Sequence, residues 1–381
     1  VTSVISASIE VPTEPPTEAL VEMPSDAPIL VRAATEQDKA ALLEFMASSA
    51  GHDKAATLDR RWHWQWHQDP RLETPGYQGV VAVWDGKIIA NLSCLPAGLY
   101  LNAEPAAACW FADARIHWGW SRQALKAAGR AGWRKQALFP RGMAAALVDH
   151  PMTGQRQLGK HVAEAMMTVL YGRGFVDLPE AGNLMRRVSL RAPLQRGLGS
   201  TAGGLLGAVA DLGIRLPRRS SLPVIRFDEA FDRRFDALWQ RALGAYPAIT
   251  RRDAAVLEWH YRQHPDTRYQ TLIIEEGAEL RGYLVFKVWA RKGRQIARLV
   301  DLLVLPGDQE AMRALVSSAL HEMRAQAAER VDWFVSGGEA SKVARALGFV
   351  PRLTSHGRPQ ALQVRGLPAE LYVTSGDGDG G

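Results

Sequence analysis

His63 and His67 stand four residues apart within His-Trp-Gln-Trp-His. On a helix that spacing puts both imidazoles on one face, the arrangement zinc proteases use to hold their metal. Such a protease needs Glu directly after the first His, and Trp64 holds that place. No third ligand lies near. No metal is expected, and the pair reads as the polar face of a helix that also carries Trp62, Trp64 and Trp66. Asp149-His150 could serve a hydrolase relay, but no Gly-x-Ser-x-Gly elbow exists to receive it. Ser336-Gly337-Gly338 lacks the Gly-Lys-Ser/Thr of a phosphate-binding loop and reads as a turn. Cys94 and Cys109 are the only cysteines and form no Cys-x-x-Cys, which suits a reducing compartment.

The elements around these residues repeat. Trp64-Gln-Trp-His-Gln-Asp-Pro70 is echoed, 195 residues on, by Trp259-His-Tyr-Arg-Gln-His-Pro265. Both read Trp, any residue, aromatic, any, Gln, any, Pro. Each copy follows a strand and an amphipathic helix. In the first unit these are Ile29–Arg32, then Thr35 with Asp38 as a capping-box start before Leu42, Phe45 and Met46. In the second they are Val224–Phe227, then Asp228 as the cap before Phe231, Phe235, Leu238 and Trp239. A strand, an acidic-Gly turn and a second strand come next: 79–84, Asp85-Gly86 and 87–94, matched by 271–274, Gly277 and 282–286. A strand with a central Asp, Asp113 or Asp301, and a Gly-Phe pair complete each unit.

A chain of 381 residues with 47% hydrophobic content suits two globular domains. The net charge of +6 suits phosphate-bearing ligands: nucleotide cofactors, tRNA or an anionic membrane surface. No signal peptide or membrane-spanning run is apparent, so a soluble cytoplasmic protein is the expectation. Nucleic-acid signatures such as paired Cys/His fingers or aromatic RNP motifs are missing, and no DNA partner is expected. Residues 1–28, rich in Pro, Thr, Ser and Glu, read as disordered, as does the Asp-Gly tail within 370–381. Residues 191–223 lie between the units and are edged by Arg196, Arg215, Arg218 and Arg219. They read as an amphipathic segment on anionic lipid or as an interdomain linker with a short helix. Their Gly content opposes a stable helix, which favours the linker.

The ordered set resembles the GNAT superfamily of acyl-CoA-dependent N-acyltransferases, and in particular duplicated GNAT-like proteins of bacterial exopolysaccharide biosynthesis. In the first unit the pieces are Trp64–Pro70, the Asp85-Gly86 hairpin, Phe111–His117 and Leu170–Phe175. In the second they are Trp259–Pro265, the Gly277 hairpin, Leu299–Pro306 and Leu347–Phe349. The resemblance implies an α+β fold: two tandem GNAT-like three-layer α/β/α domains, each with a mixed, mostly antiparallel sheet. The domains would span 29–190 and 224–369, the first catalytic and the second degenerate.

It also implies a pyrophosphate loop at a helix N-terminus, where free amides and the helix dipole favour an anion. The matching run is Ile116-His117-Trp118-Gly119-Trp120-Ser121-Arg122-Gln123-Ala124-Leu125, so Ile116, His117, Arg122, Gln123, Ala124 and Leu125 are the candidate cofactor residues. Trp118 replaces the family's Pro, and Arg122 and Ala124 replace two glycines. In the second unit Gly307-Asp-Gln-Glu310 puts two carboxylates where a pyrophosphate would sit, so no CoA is expected there.

Amine acylation needs a base for the acceptor and a donor to the leaving thiolate. Asp113 is the candidate base, although its position also suits a buried Asp bonded to backbone. Tyr171 is the candidate acid, one residue closer to Gly-Phe than is usual in the family; a core Tyr is the other reading. Trp64 and Trp66 could stack on a sugar ring, or pack helix on sheet.

The implied function is transfer of an acyl group, by resemblance acetyl from acetyl-CoA, to an amino sugar or related amine of cell-surface polysaccharide synthesis. Two other readings stand beside it: an aminoacyl-tRNA-dependent transferase pairing two such folds, and a catalytically inactive interaction module that binds polysaccharide biosynthesis proteins.

Overall fold

The computed structural model describes residues 29–127, 138–160, 164–179, 181–353 and 362–377. The expectations for residues 1–28 and 378–381 lie outside the described residues.

Alternating and near-continuous Val/Ile/Leu runs build two seven-stranded sheets. The first contains β1 (Leu30–Ala33), β2 (Gly79–Trp84), β3 (Lys87–Pro96), β6 (Cys109–Ile116), β7 (Gln157–Lys160), β8 (Val176–Asp177) and β17 (Leu362–Arg365), in the spatial order β1-β2-β3-β6-β7-β17-β8. The second contains β9 (Gly182–Arg187), β10 (Val224–Phe227), β12 (Gln270–Glu276), β13 (Glu279–Arg291), β14 (Arg294–Val304), β15 (Arg330–Val335) and β16 (Val350–Pro351), ordered β10-β12-β13-β14-β15-β9-β16. In each sheet only the fourth and fifth strands run parallel; every other pairing is antiparallel. Asp85 and Gly86 both take positive φ, 48° and 73°, which matches the twist of the hairpin they close.

Helices cover both faces of each sheet. α1 (Lys39–Ala50) and α2 (His52–Trp66) bury Leu42, Phe45, Met46, Trp62 and Trp66 on one face of the first sheet. α4 (Leu138–Val148) and α5 (Glu164–Tyr171) bury Met143, Leu147, Val169 and Leu170 on the other. The second sheet is flanked by α8 (Arg233–Ala245) and α9 (Ala254–Leu257) on one side, and by α10 (Gln309–Ala325) and α11 (Gly338–Ala346) on the other. Thr35 and Asp38 form the expected capping box. The cap of α8 is Asp232 rather than Asp228: its carboxylate accepts from the Arg234 amide.

Three expectations need correction. The sixth strand of each sheet comes from the opposite half of the chain, β17 entering the first sheet and β9 the second. Boundaries at 190 and 224 therefore cut both sheets. A small third sheet ties the halves again: β4 (Leu99–Leu101) and β5 (Glu104–Ala106) join β11 (Ala248–Thr250) and β18 (Leu371–Tyr372).

Residues 191–213 are no loose linker. They form α6 (Arg191–Leu198) and α7 (Ser200–Gly213), which pack as a hairpin. Glycine favours it here because the helices touch through Gly203 and Gly207. A Cβ on Gly203 would fall 2.3 Å from the Leu194 carbonyl oxygen, and one on Gly207 would fall 2.5 Å from the Arg191 Cα.

As far as Asp377 the tail is packed rather than solvated. Residues 371–377 are all buried, and the Asp377 carboxylate pairs with the Arg252 guanidinium at 2.5 Å. Gly376 runs so close to Tyr261 that an added Cβ would meet its hydroxyl at 2.1 Å.

Candidate active site

The fourth strand of each sheet carries a bulge at the same point. Ser93 pairs with Ala112 and Asn91 with Arg115, so Asp113 and Ala114 together oppose Leu92. Asp113 takes φ 47°, a left-handed conformation that a short polar side chain tolerates better than most. The extra residue reverses the side-chain parity of β6. Cys109 and Phe111 share one core with Ala114 and Ile116, while Trp110 and Ala112 belong to the other. In β14 Phe286 pairs with Leu299 and Val285 with Asp301, which leaves Val300 as the extra residue.

The parallel pairs part ahead of these bulges. β6 and β7 pair only at Cys109–Gln157 and Trp110–Leu158, after which β6 runs on to Ile116. β14 and β15 pair over Ile296–Leu299 and Arg330–Trp333, and β14 continues to Val304. A parallel pair that parts in mid-sheet leaves backbone groups and a cleft between the strands.

The two clefts have different contents. In the second half the tail fills it: the Gly376 amide donates to the Val300 carbonyl at 2.7 Å, and the Val373 amide donates to Ser336 Oγ at 2.8 Å. Asp301 is buried and saturated, accepting from Arg252 Nε (3.1 Å), the Tyr283 hydroxyl (2.9 Å) and Thr374 Oγ1 (3.0 Å). The first half instead carries a pocket of about 310 Å³, part of it open to solvent, between β3 and β6 on one side and α4 and α5 on the other, lined by Asn91, Leu92, Ala114, Arg115, Ile116, Ala144, Leu147 and Met166.

Asp113 sits at the bulge beside that pocket. Burial raises its carboxyl above the ordinary carboxylate range, opposed by the positive charges of Arg115, Arg61 and Lys54. The Asn91 amide nitrogen donates to the Asp113 carbonyl at 3.2 Å. Asn91 also accepts from the Tyr77 hydroxyl at 2.9 Å, and Ser93 Oγ lies 2.8 Å from the same hydroxyl. Burial, with the Asp113 charge adding to it, pushes the Tyr77 phenol well up, so it stays protonated and can donate. Tyr77, Asn91, Ser93, Arg61 and Arg115 escape a reading of the sequence, because no motif joins them. The signal present is a run of polar residues, Asn91 and Ser93, inside an otherwise apolar strand.

The predicted cofactor residues separate. Ile116 lines the pocket, and α3 (Trp118–Ala127) starts directly after His117. His117 caps this helix: Nδ1 accepts from the Trp120 amide at 3.1 Å and the ring stacks on Trp120 at 4.1 Å. One of the first-turn amides that an anion would use is thus already taken. Lys87 Nζ lies 5.4 Å from the centre of the Trp120 ring, adding a cation beside the helix start. Arg122 and Gln123 are half-buried and stand a turn into the helix. Ala124 and Leu125 continue it, and their side chains lie outside the described residues.

Tyr171 is 43% exposed at the end of α5, its hydroxyl donating to Asp177 at 2.8 Å. The pocket instead takes Met166 from that helix, five residues earlier, so Tyr171 is not brought to Asp113.

Trp64 and Trp66 do not face a ligand cleft. Trp66 is fully buried in the core under α2. Trp64 stacks on Trp259 with ring centres 4.6 Å apart. Each indole donates to the other's backbone carbonyl, Trp64 to Trp259 at 3.0 Å and Trp259 to Trp64 at 2.8 Å. The two copies of the repeated motif therefore meet face to face between the halves. His63 and His67 stack on each other at 5.3 Å, and the described residues contain no cluster of three or more metal-ligating side chains.

At the second-half position matching α3, Asp308 caps α10 by accepting from the Ala311 amide at 3.1 Å, and Arg281 bridges Asp308 and Glu310. That helix start is filled and neutralised by the chain's own side chains.

No protein-family model matches the sequence, and no curated protein matches it. Solved structures do match in shape. A GCN5-related N-acetyltransferase from Anabaena variabilis aligns with TM-score 0.52 at 13% identity, over 89% of this chain and 72% of that one. Saccharomyces cerevisiae N-myristoyltransferase, solved with bound myristoyl-CoA, aligns with TM-score 0.52 at 11% identity, over 92% and 89%. A conserved protein of unknown function from Enterococcus faecalis V583 aligns with TM-score 0.55 at 9% identity, over 89% and 72%. Each match spans both halves, and the separating fourth and fifth strands lie in both sheets. The fold of this chain is that of the GNAT-type N-acyltransferases, in a layout of two such sheets.

Proposed function

We propose that the protein is a CoA-thioester-dependent N-acyltransferase whose chemistry takes place in the cleft of the first half. The observation that carries this reading is the contrast between the clefts. Beside Asp113 an apolar pocket opens between β3 and β6 and the helices α4 and α5, whereas the cleft beside Asp301 is filled by residues 373–377. The shape shared with an N-myristoyltransferase that holds myristoyl-CoA supports a thioester as donor. Acetyl-CoA is the proposed donor. The acceptor is an amino sugar or related amine of cell-surface polysaccharide synthesis, on the resemblance of the motif set. We further propose that the halves descend from one duplicated unit, of which the second has become structural.

Leu92, Ala114, Ile116, Ala144, Leu147 and Met166 offer an apolar wall to an acyl chain, and Lys87 with Arg115 offers positive charge. In the reaction the amine nitrogen attacks the thioester carbonyl, the C–S bond breaks and the thiolate leaves with CoA. Asp113 accepts the proton that the amine gives up, and its raised affinity for protons fits that task. Tyr77, held protonated beside Asn91 and Ser93, fixes the polar side of the bulge.

The capping of Trp120 by His117 favours a second reading, an interaction module without acyl transfer. Titration calorimetry with acetyl-CoA and longer acyl-CoAs separates the two. Binding is expected, with Asp113→Asn leaving affinity near wild type while lowering kcat about 10²–10⁴-fold. Failure of every acyl-CoA to bind at millimolar concentration overturns the enzyme reading.

A further inference from the structure

The α6–α7 hairpin presents an apolar outer face that no other described element covers. Leu198 (53%), Leu205 (69%), Leu206 (53%), Val209 (65%) and Leu212 (80%) are five of the most exposed large apolar side chains of the described residues. A folded protein leaves single apolar residues exposed without consequence, but a contiguous group marks a contact surface. The hairpin cannot hide this face by collapsing inward. Gly203 and Gly207 already bring the two backbones into contact, so the larger residues of α7 can only point away.

Charge identifies the occupant. Residues 186–226 contain eight Arg and a single acidic residue, Asp211. Asp211 is turned inward, accepting from Ser189 Oγ at 2.8 Å and from the Leu190 amide at 2.6 Å. Arg196 is held by Glu329 at 2.6 Å. Arg191, Arg215, Arg218 and Arg219 are exposed, and among the described residues they form no ion pair. An apolar ridge rimmed by cations, with its one acid withdrawn, complements acyl chains beneath an anionic headgroup layer. A protein partner would more commonly meet an aromatic anchor, and residues 191–222 contain no Phe, Tyr or Trp.

We propose that the α6–α7 hairpin docks the protein on the surface of an anionic membrane, with Leu205, Val209 and Leu212 entering the leaflet and the flanking arginines contacting headgroups. No helix among the described residues is long and apolar enough to cross a membrane, so the contact is peripheral. It stands independently of the acyl-transfer reading.

Flotation of the full chain with vesicles tests it, one set pure phosphatidylcholine and another containing phosphatidylglycerol. The protein is expected to float only with the anionic set, and less so as salt rises. Leu205→Glu/Leu212→Glu should lower partitioning by about tenfold or more, and Arg218→Ala/Arg219→Ala should flatten the salt dependence. Both pairs are exposed, and an unchanged circular dichroism spectrum confirms that the variants fold. The proposal is overturned if the wild type stays unbound with anionic vesicles at low salt, or if the Glu variant floats equally well. It is also overturned if light scattering shows a dimer that the Glu variant abolishes while vesicles bind neither form.

Discussion

Asp113 and Asp301 stand at the bulges of corresponding strands, Asp113 within its bulge and Asp301 directly after the extra residue, yet their surroundings assign them different work. Asp301 is held by an arginine, a tyrosine and a threonine in the interior, whereas Asp113 is half-buried beside a pocket with cations at a distance. The mid-strand carboxylate was legible in the sequence. Its left-handed backbone and its neighbours from α2 were not, because they depend on contacts far along the chain. His264 is a second residue whose role needs the fold. It packs against Trp64 at 4.6 Å, and its Nδ1 accepts from the Asp266 and Thr267 amides at 3.1 Å each. Burial, with Arg61 and Lys287 nearby, lowers its pKa to about 3. In the unfolded chain the ring takes a proton near pH 6.5. Stability is therefore full above that pH and falls as pH drops from about 6.5 toward 3, by up to about 1.4 kcal/mol per pH unit. Urea midpoints measured from pH 7.5 to 4.5 should show this slope, and His264→Asn, which keeps an acceptor at that place, should lack it. An equal slope in both proteins would mean that other groups set the acid sensitivity.

Among the elements, strands β1, β2, β3, β10, β12 and β13 and helices α1 and α8 followed from periodicity, while two segments defined by close approach did not. Gly203 and Gly207 weaken an isolated helix, yet they are what allows α6 and α7 to pack. Gly376 looks like part of a flexible Asp-Gly tail until Tyr261 is seen against it. In each case composition reports the cost of glycine but not the neighbour that requires it. The tail is held chiefly by Asp377, whose carboxylate meets Arg252 and accepts from the Thr374 amide at 2.6 Å. Asp377→Ala leaves Arg252 with Asp301 alone, so the expected loss is about 2 kcal/mol, below the 3–5 of a buried pair broken outright. Guanidinium unfolding measures it. An unaltered midpoint would mean that the tail contributes nothing to the second half.

At the scale of the molecule, the repeat of Trp64–Pro70 at Trp259–Pro265 foretold two similar units, and two sheets with the same strand sequence of parallel and antiparallel pairs are present. The exchange of β9 and β17 was not foreseeable. Both strands are short, and nothing local in a short strand specifies which sheet it will join. Fragments 29–190 and 191–377 should each fail to give a cooperative melting transition when expressed alone. Co-expressed, they should purify together and melt as one. A stable, monomeric 29–190 fragment would contradict this.

The exchange also sets an order of events at the ribosome. The first sheet receives its sixth strand from Leu362–Arg365, which are synthesised long after the strands on either side of them. Until then Gln157–Lys160 and Val176–Asp177 have no strand between them, so the first sheet stays incomplete until the chain has grown past Arg365.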